Sequence, residues 1–154
     1  MIRVVLWLVW LPVGGLVCGC HSMGKPLFVV SGPGWRVQEG QALWRPGRGR
    51  PEIAGDLLLA SDADGRCLVQ FAKTPLSFVQ AQTTRTNWLI QFPPVRMSFG
   101  GRGQPPTRFG WLYLPAALSG ERLAAPFRFE READGGWRLE NTRSGETVSG
   151  FLAP

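Results

Sequence analysis

The residues that most often carry enzyme chemistry are sparse in this chain of 154 residues. His21 is its single histidine, which weakens any case for a catalytic triad or a multi-histidine metal site. Ser144 and Ser149 therefore lack a histidine base for nucleophilic catalysis. Asp62 and Asp64 belong to a turn that offers too few oxygen ligands for a calcium loop. The sequence thus predicts a protein that is not an enzyme and that holds no metal and no cofactor.

The first twenty residues have the pattern of a secretory signal peptide. Arg3 precedes an uncharged apolar run from residue 4 to residue 17. As a helix this run would span about 21 Å, which is short of a bilayer core of about 30 Å. A permanent membrane anchor is therefore the weaker interpretation, and the segment indicates export.

The end of this segment carries a candidate site of lipid attachment. Val17-Cys18-Gly19-Cys20 resembles the lipobox of bacterial lipoproteins, in which small residues precede an acylated cysteine. Cys20 fits that role, whereas Cys18 fits poorly because the bulky Val17 precedes it. Long acyl chains such as palmitate, at about 0.8 kcal/mol per buried CH₂, would hold the chain on the membrane. Since His21 rather than Asp follows Cys20, the resemblance implies the periplasmic face of the outer membrane.

The third cysteine is expected to be a lone thiol. With Cys18 removed and Cys20 acylated, Cys67 has no partner for an intramolecular disulfide. It lies in an apolar, alternating segment at residues 66–71. A buried, chemically quiet side chain and a reactive thiol are both conceivable there, and the apolar pattern favours the buried one.

Basic residues exceed acidic ones by 17 to 11, and the densest basic run spans residues 45–51. Its Arg45, Arg48 and Arg50 resemble an arginine-glycine RNA-binding segment, but an exported protein does not routinely meet nucleic acid. Two interpretations remain open: a solvated hairpin loop, or a contact for an anionic group such as a lipid phosphate. Arg102 and Arg108 are a second possible contact of the same kind.

The rest of the chain is predicted to be mainly β, as a sequential antiparallel sheet. Turn-forming pieces rich in Gly, Pro, Asn and Asp recur along it and separate short aromatic or branched segments. Trp88 and Ile90 alternate with Leu89 and Gln91, which is the period of a strand in a sheet with one wet face. The one helical segment expected after the signal, residues 106–118, should break into two short turns at Pro115.

Five side chains are candidates for binding an apolar ligand: Leu76, Phe78, Trp88, Ile90 and Trp111. A hairpin centred on residue 83 would make Phe78 and Trp88 facing partners across two strands. The cluster is either a closed core or the wall of an open apolar groove.

Four strand-like pieces carry a resemblance to a known group: residues 40–44, 55–60, 88–90 and 145–152. With the lipidated Cys20, they resemble the LolA/LolB group of lipoprotein carriers and receptors over residues 34–154. The resemblance implies an incomplete, half-open β-barrel with one or two short helices and a hydrophobic cavity for acyl chains.

These observations predict three segments and two possible functions. Residues 1–19 would be the signal peptide, residues 20–33 a lipidated linker and first strand, and residues 34–154 a single antiparallel β domain. The first function is an outer-membrane lipoprotein that binds an acyl chain, a lipoprotein or another amphiphile in envelope trafficking. The alternative is a non-catalytic scaffold that meets a protein partner of the envelope through a face or an edge of its sheet.

Overall fold

The computed structural model describes residues 24–153, which form one antiparallel sheet of nine strands. The strands are β1 (Trp35–Arg45), β2 (Ile53–Asp62), β3 (Cys67–Lys73), β4 (Leu76–Thr83), β5 (Asn87–Phe92), β6 (Met97–Arg102), β7 (Phe127–Arg131), β8 (Trp137–Asn141) and β9 (Glu146–Leu152). Their order is β6-β5-β4-β3-β2-β1-β9-β8-β7, so β6 and β7 are the two edges of an open sheet. The prediction of a mainly β, antiparallel fold is confirmed.

The turns between neighbouring strands depend on glycines at the positions that the sequence singled out. Gly65, Gly135 and Gly145 have φ of 78°, 88° and 74° in the β2–β3, β7–β8 and β8–β9 turns. Residues with a Cβ are strained at such angles, whereas glycine is not. The glycines therefore fix where three of the hairpins reverse.

One face of the sheet carries the main core. On the inner face of β2, β3 and β4, Leu57, Phe71 and Val79 are nearly inaccessible to solvent. Trp88 and Ile90 lie on this same face, as their alternation predicts. The outer face of β2 and β3 also buries two apolar residues, Ala60 and Leu68. Strand β2 is the middle strand of the nine, which explains why its residues are apolar on both faces.

The long connection between β6 and β7 crosses the inner face. It contains a 3₁₀ turn at Gly110–Leu112 and the helix α1 at Leu114–Leu118. The rings of Phe109, Trp111 and Tyr113 lie 5.2 Å, 5.2 Å and 4.5 Å from rings of β6, β3 and β7. Because this one segment touches both edges and an interior strand, the sheet must curl around it.

The prediction for residues 106–118 is confirmed in kind and corrected in extent. The segment forms two short turns, but the first begins at Gly110 rather than at Pro106. Pro115 lies in the first turn of α1, where its missing N–H is not needed. The break between the two turns falls at Tyr113 and not at Pro115 as expected.

Residues 24–34, which we call the N-terminal strap, contain no strand, contrary to the expectation of a first strand before residue 34. Side-chain amides of the outer face, and not strand-to-strand hydrogen bonds, hold the strap on the sheet. Gln82 accepts a hydrogen bond from Leu27 N–H and donates one to Phe28 O, both at 2.8 Å. Gln91 donates to Gly24 O at 2.7 Å. The strap thereby covers outer-face residues of β4 and β5, and both glutamines are buried.

The register of the β4–β5 hairpin differs from the predicted one. Trp88 pairs with Thr83, so Phe78 and Trp88 are not facing partners. The turn is set by Thr84, whose hydroxyl accepts the N–H of Asn87 at 2.9 Å while its own N–H donates to Asn87 O. This local hydrogen bonding moves the reversal about two residues beyond position 83.

Candidate functional site

The five predicted ligand-binding residues do not form one open groove. Leu76 is 55% exposed at the β3–β4 turn, away from the core. Phe78 is half-buried against β3, whereas Ile90 and Trp111 are fully buried. Trp88 alone among them borders a cavity while belonging to the core. Most of this cluster is therefore closed core.

The inner face is closed at the end where Trp111 packs. Its ring stacks on Phe71 at 5.2 Å and 29°, and meets the ring of Trp44 edge-on at 5.7 Å and 70°. Offset-stacked and edge-on pairs are the favourable arrangements of aromatic rings. This end of the sheet leaves no room for a ligand.

The buried carboxylate of Glu146 binds the β6–β7 connection to this same end of the sheet. Glu146 accepts a hydrogen bond from the indole N–H of Trp44 at 3.1 Å and one from the backbone N–H of Gly110 at 3.2 Å. Burial raises the pKa of this carboxyl above its ordinary value, and the two hydrogen bonds oppose the rise. A Cβ at position 110 would lie only 3.0 Å from Glu146 Oε2, so glycine lets the backbone approach the carboxylate closely.

Sequence reasoning missed Glu146, although the pattern held a signal. The residue shares its alternation with Val148 and Gly150, which were expected on one face of β9. A charged residue at an inward position next to a turn is unusual enough to single out. Asn141 on β8 plays a similar part, since its amide donates to Thr107 O of the connection at 2.7 Å.

The opposite end of the inner face is polar. One ladder of paired residues crosses β1 to β4 there and carries Arg36, Ser61, Cys67 and Thr83, which we call the mouth row. Ser61, Cys67 and Thr83 each share their strand face with a core residue two positions away, and Arg36 pairs with Ser61, so the row points inward. The ladder continues to Trp88 on β5, where the polar row ends.

A cavity of about 1160 Å³ opens at the mouth row, between the inner face and the segment that follows Gly110–Leu112. This is somewhat larger than the volumes of small-molecule sites, which are roughly 300–1,000 Å³. Its walls include the mouth row and these apolar side chains: Leu59, Trp88, Leu112, Leu118, Leu123, Trp137 and Leu152. The cavity is therefore amphipathic, with buried apolar residues below polar ones.

Positive charge dominates the rim of this cavity. Four arginines border it, Arg36, Arg85, Arg122 and Arg131, against the single acid Glu121. Arg131 donates to Leu118 O in the helix α1, which ties β7 to the connection. Within residues 24–153 the other three arginines make no ion pair. An anionic group would meet a net positive rim.

Cys67 lies on the cavity wall and is half-buried rather than fully buried. Burial raises the pKa of its thiol, the hydroxyl of Thr83 opposes the rise, and the nearby acids Asp62 and Glu121 add to it. The placement corrects the expectation of a fully buried residue, because the ladder puts Cys67 at the open end of β3. Its raised pKa remains that of a quiet thiol.

One buried donor at the cavity has no partner. The indole N–H of Trp137 makes no hydrogen bond to any residue from 24 to 153, although the residue is only 2% exposed. Trp137 lines the cavity from β8. Buried donors are nearly always satisfied, so this unpaired donor is an exception in the packing around Trp137.

The basic run at residues 45–51 forms the β1–β2 connection and lies at the opposite end from the mouth row. Arg45 stands 3.9 Å from Glu52, and Arg48 donates to Thr142 O at 3.1 Å. Arg50 is exposed. The loop is thus solvated, with Arg48 resting on the β8–β9 turn.

The second predicted basic contact, Arg102 with Arg108, has a partly different role. The guanidinium of Arg108 lies over the ring of Phe109 at 4.7 Å and over that of Phe99 at 5.1 Å. Such cation–π contacts cover core aromatics at the surface. Arg102 is exposed at the end of the edge strand β6.

The outer face holds a second, shallower groove of about 660 Å³ along β9, β1 and β2. Leu43 and Phe151 line it and are 44% and 51% exposed. Lys73 borders the same groove, as do Glu132 and Asp134 of the β7–β8 hairpin. Leu43 and Phe151 therefore form an exposed apolar pair that is surrounded by polar residues.

Other site classes find no support between residues 24 and 153. That range holds no group of three metal-binding side chains. It also holds no helix with the length and hydrophobicity needed to cross a bilayer. Cys20 and the predicted signal peptide lie outside the described residues.

No model of a known protein family matches the chain, and no curated protein shows significant similarity to it.

Proposed function

We propose that this protein is a non-enzymatic lipoprotein of the bacterial outer membrane that binds an acyl chain, a lipoprotein or another amphiphile. In this proposal the curled sheet is a half-open β-barrel of the LolA/LolB kind, with the β6–β7 connection inside it. The observation that carries the proposal is the amphipathic cavity of about 1160 Å³ at the mouth row. A cavity with an apolar floor and a polar opening matches the two ends of an amphiphile.

The apolar part of the cavity supports burial of a hydrocarbon chain. Leu59, Trp88 and Leu112 are each less than 10% exposed and lie on the floor. Each CH₂ group that leaves water there would contribute about 0.8 kcal/mol. Burial of several such groups supports binding of an alkyl chain.

The lipid anchor in this proposal is carried by Cys20 and not by Cys18. Metabolic labelling with an acyl analogue should be lost in Cys20→Ala and should persist in Cys18→Ala. Label that survives in Cys20→Ala would remove the basis for the membrane location.

Native mass spectrometry of the protein purified from envelopes tests the cavity. We expect a bound lipid in the wild type, loss of it in Ser61→Trp, whose indole would fill the mouth, and retention in the control Ser31→Trp on the exposed strap. Melting temperatures establish that each variant folds. If Ser61→Trp does not fold, wild-type protein alkylated at Cys67 with a bulky maleimide takes its place. Wild-type protein that neither retains lipid nor binds added fatty acid would contradict the proposal.

A second candidate function is a non-catalytic scaffold in an envelope complex. The exposed pair Leu43 and Phe151 on the outer face favours it, because apolar side chains exposed together often mark protein contacts. Photo-crosslinking from position 43 in living cells should then trap a partner protein, whereas position 128 on β7 should not.

A further inference from the structure

We propose that the cavity selects amphiphiles with an anionic headgroup, seated with the headgroup at the mouth row and the chain directed toward the aromatic end. This inference rests on the proposed function, since it names the class of ligand for the same cavity. Two independent features of the described residues support it: the order of side chains along the inner face and the charge of the rim.

The inner face changes from polar to apolar in successive ladder rows. Behind the mouth row lies the row that contains Leu59, Val69 and Ala81, and behind that row lies one with Leu57 and Phe71. All five of these side chains belong to the core cluster. An amphiphile can match this gradient in one direction only, with its polar head outward.

The charge at the mouth identifies the kind of headgroup. Arg36 enters from β1 and Arg122 from the segment after α1, so the two cations approach the cavity from different walls. Neither makes an ion pair within the part of the chain that the structure describes. A guanidinium binds carboxylate or phosphate through paired hydrogen bonds, and a cationic headgroup would be repelled.

Neutral hydroxyl groups also lie on the mouth row. Ser61 pairs with Arg36, and Thr83 lies farther along the same row, beyond Cys67. Hydroxyls can donate hydrogen bonds to carboxylate, phosphate or ester oxygens.

The experiment compares four soluble amphiphiles with the same alkyl chain: lauric acid, dodecyl phosphate, dodecylphosphocholine and dodecyltrimethylammonium. Full-length protein with Cys18→Ser and Cys20→Ser is used, so that Cys67 is its only thiol. Titration calorimetry below the micelle concentration gives affinity, and protection of Cys67 from iodoacetamide shows whether the probe occupies the cavity. Inorganic phosphate without a chain serves as a fifth probe.

We expect lauric acid and dodecyl phosphate to bind and to protect Cys67, and the cationic probe to bind at least tenfold more weakly. The double variant Arg36→Gln/Arg122→Gln should lose roughly tenfold in affinity for the anionic probes, the scale expected when charge-assisted hydrogen bonds are removed. Its affinity for dodecylphosphocholine should change little. The matched control, Arg143→Gln with Arg128→Gln, removes two exposed arginines that do not border the cavity and should behave as wild type.

The outcomes separate this inference from the proposed function. Equal binding of all four amphiphiles, unaffected by the double variant, would refute the selection for anionic heads and leave amphiphile binding intact. Failure of every amphiphile to bind would refute both. Binding of inorganic phosphate as tightly as dodecyl phosphate would show that the site reads an anion without its chain, and would also refute the proposal.

Discussion

The two ends of the inner face differ in how they are filled. At one end Trp111 packs between Phe71 and Trp44, and Glu146 accepts hydrogen bonds from Trp44 and from the connection. At the other end the same strands carry the mouth row, and the connection stands away from them to leave a cavity.

This difference indicates that stability and binding are separated along the strands. A closed aromatic end holds the connection in place without help from a ligand. The open end is then free to carry arginines and hydroxyls that would be unfavourable in a core. Substitutions at one end therefore test whether the other end responds.

The largest effect is expected at the closed end. Trp111→Ala should lower the free energy of unfolding by about 3–5 kcal/mol, because it removes a fully buried indole and leaves a cavity. Urea denaturation measures this change. Phe151→Ala, at a half-exposed position on the outer face, is the control and should change stability far less. A similarly small loss for Trp111→Ala would mean that this end is open.

Substitution of Glu146 should have the second-largest effect on the free energy of unfolding. Glu146→Ala leaves the N–H groups of Trp44 and Gly110 without an acceptor, which should cost about 2 kcal/mol. Glu146→Gln keeps an acceptor oxygen and should cost less. Equal losses in the two variants would show that the hydrogen bonds to the connection do not matter.

Wild type and Glu146→Gln should also differ in how their stability depends on pH, and the sign of this difference is defined. Burial raises the pKa of Glu146 in the folded state above the ordinary value of 4.5, so the folded protein binds the proton more tightly than the unfolded chain. The stability contributed by this group is therefore complete below the unfolded pKa and decreases as pH rises through the folded pKa. Urea melts over a pH series should show wild type losing stability relative to Glu146→Gln as pH increases. A difference that stays constant would contradict the raised pKa.

Local patterns predicted the strands and turns well. Alternation placed Trp88 and Ile90 on the inner face, and the glycines of three turns marked where the hairpins reverse. Both signals are local, since strand alternation and positive φ depend on a few neighbouring residues.

Contacts distant in sequence were not predictable in this way. The strap is held by Gln82 and Gln91, more than fifty residues away, and nothing local to either glutamine indicates a backbone partner. The mouth row requires the registers of β1 to β4 at once, and the adjoining β4–β5 register depends on a single threonine at position 84. The cavity depends on these pairings, which local sequence patterns do not define.

The alkylation rate of Cys67 measures how accessible the open end is, and this measurement involves no large change in the stability of the protein. Its thiol is half-buried and its pKa is raised by burial, so alkylation by iodoacetamide at neutral pH should be slower than that of a free cysteine. The rate should rise with pH up to and beyond the ordinary thiol pKa. Unfolding in urea should restore the full rate. Alkylation as fast as in the unfolded chain would show that the mouth row does not shelter this residue.

The smallest effect on stability is expected from the loop at residues 45–51, which belongs to neither wall of the cavity. Arg45 faces Glu52 at 3.9 Å and Arg50 is exposed, so replacing both with Gln should change stability by no more than about 0.5 kcal/mol. Arg48→Gln should cost slightly more, since Arg48 donates to Thr142 O. If the loop contacts lipid phosphates, the triple variant should also bind anionic vesicles more weakly at low salt, and this difference should shrink as salt screens the charges. Binding to lauric acid should stay as in wild type, because the loop lies at the opposite end of the strands from the mouth row. A joint loss of vesicle and lauric acid binding would mean that the two ends do not act separately.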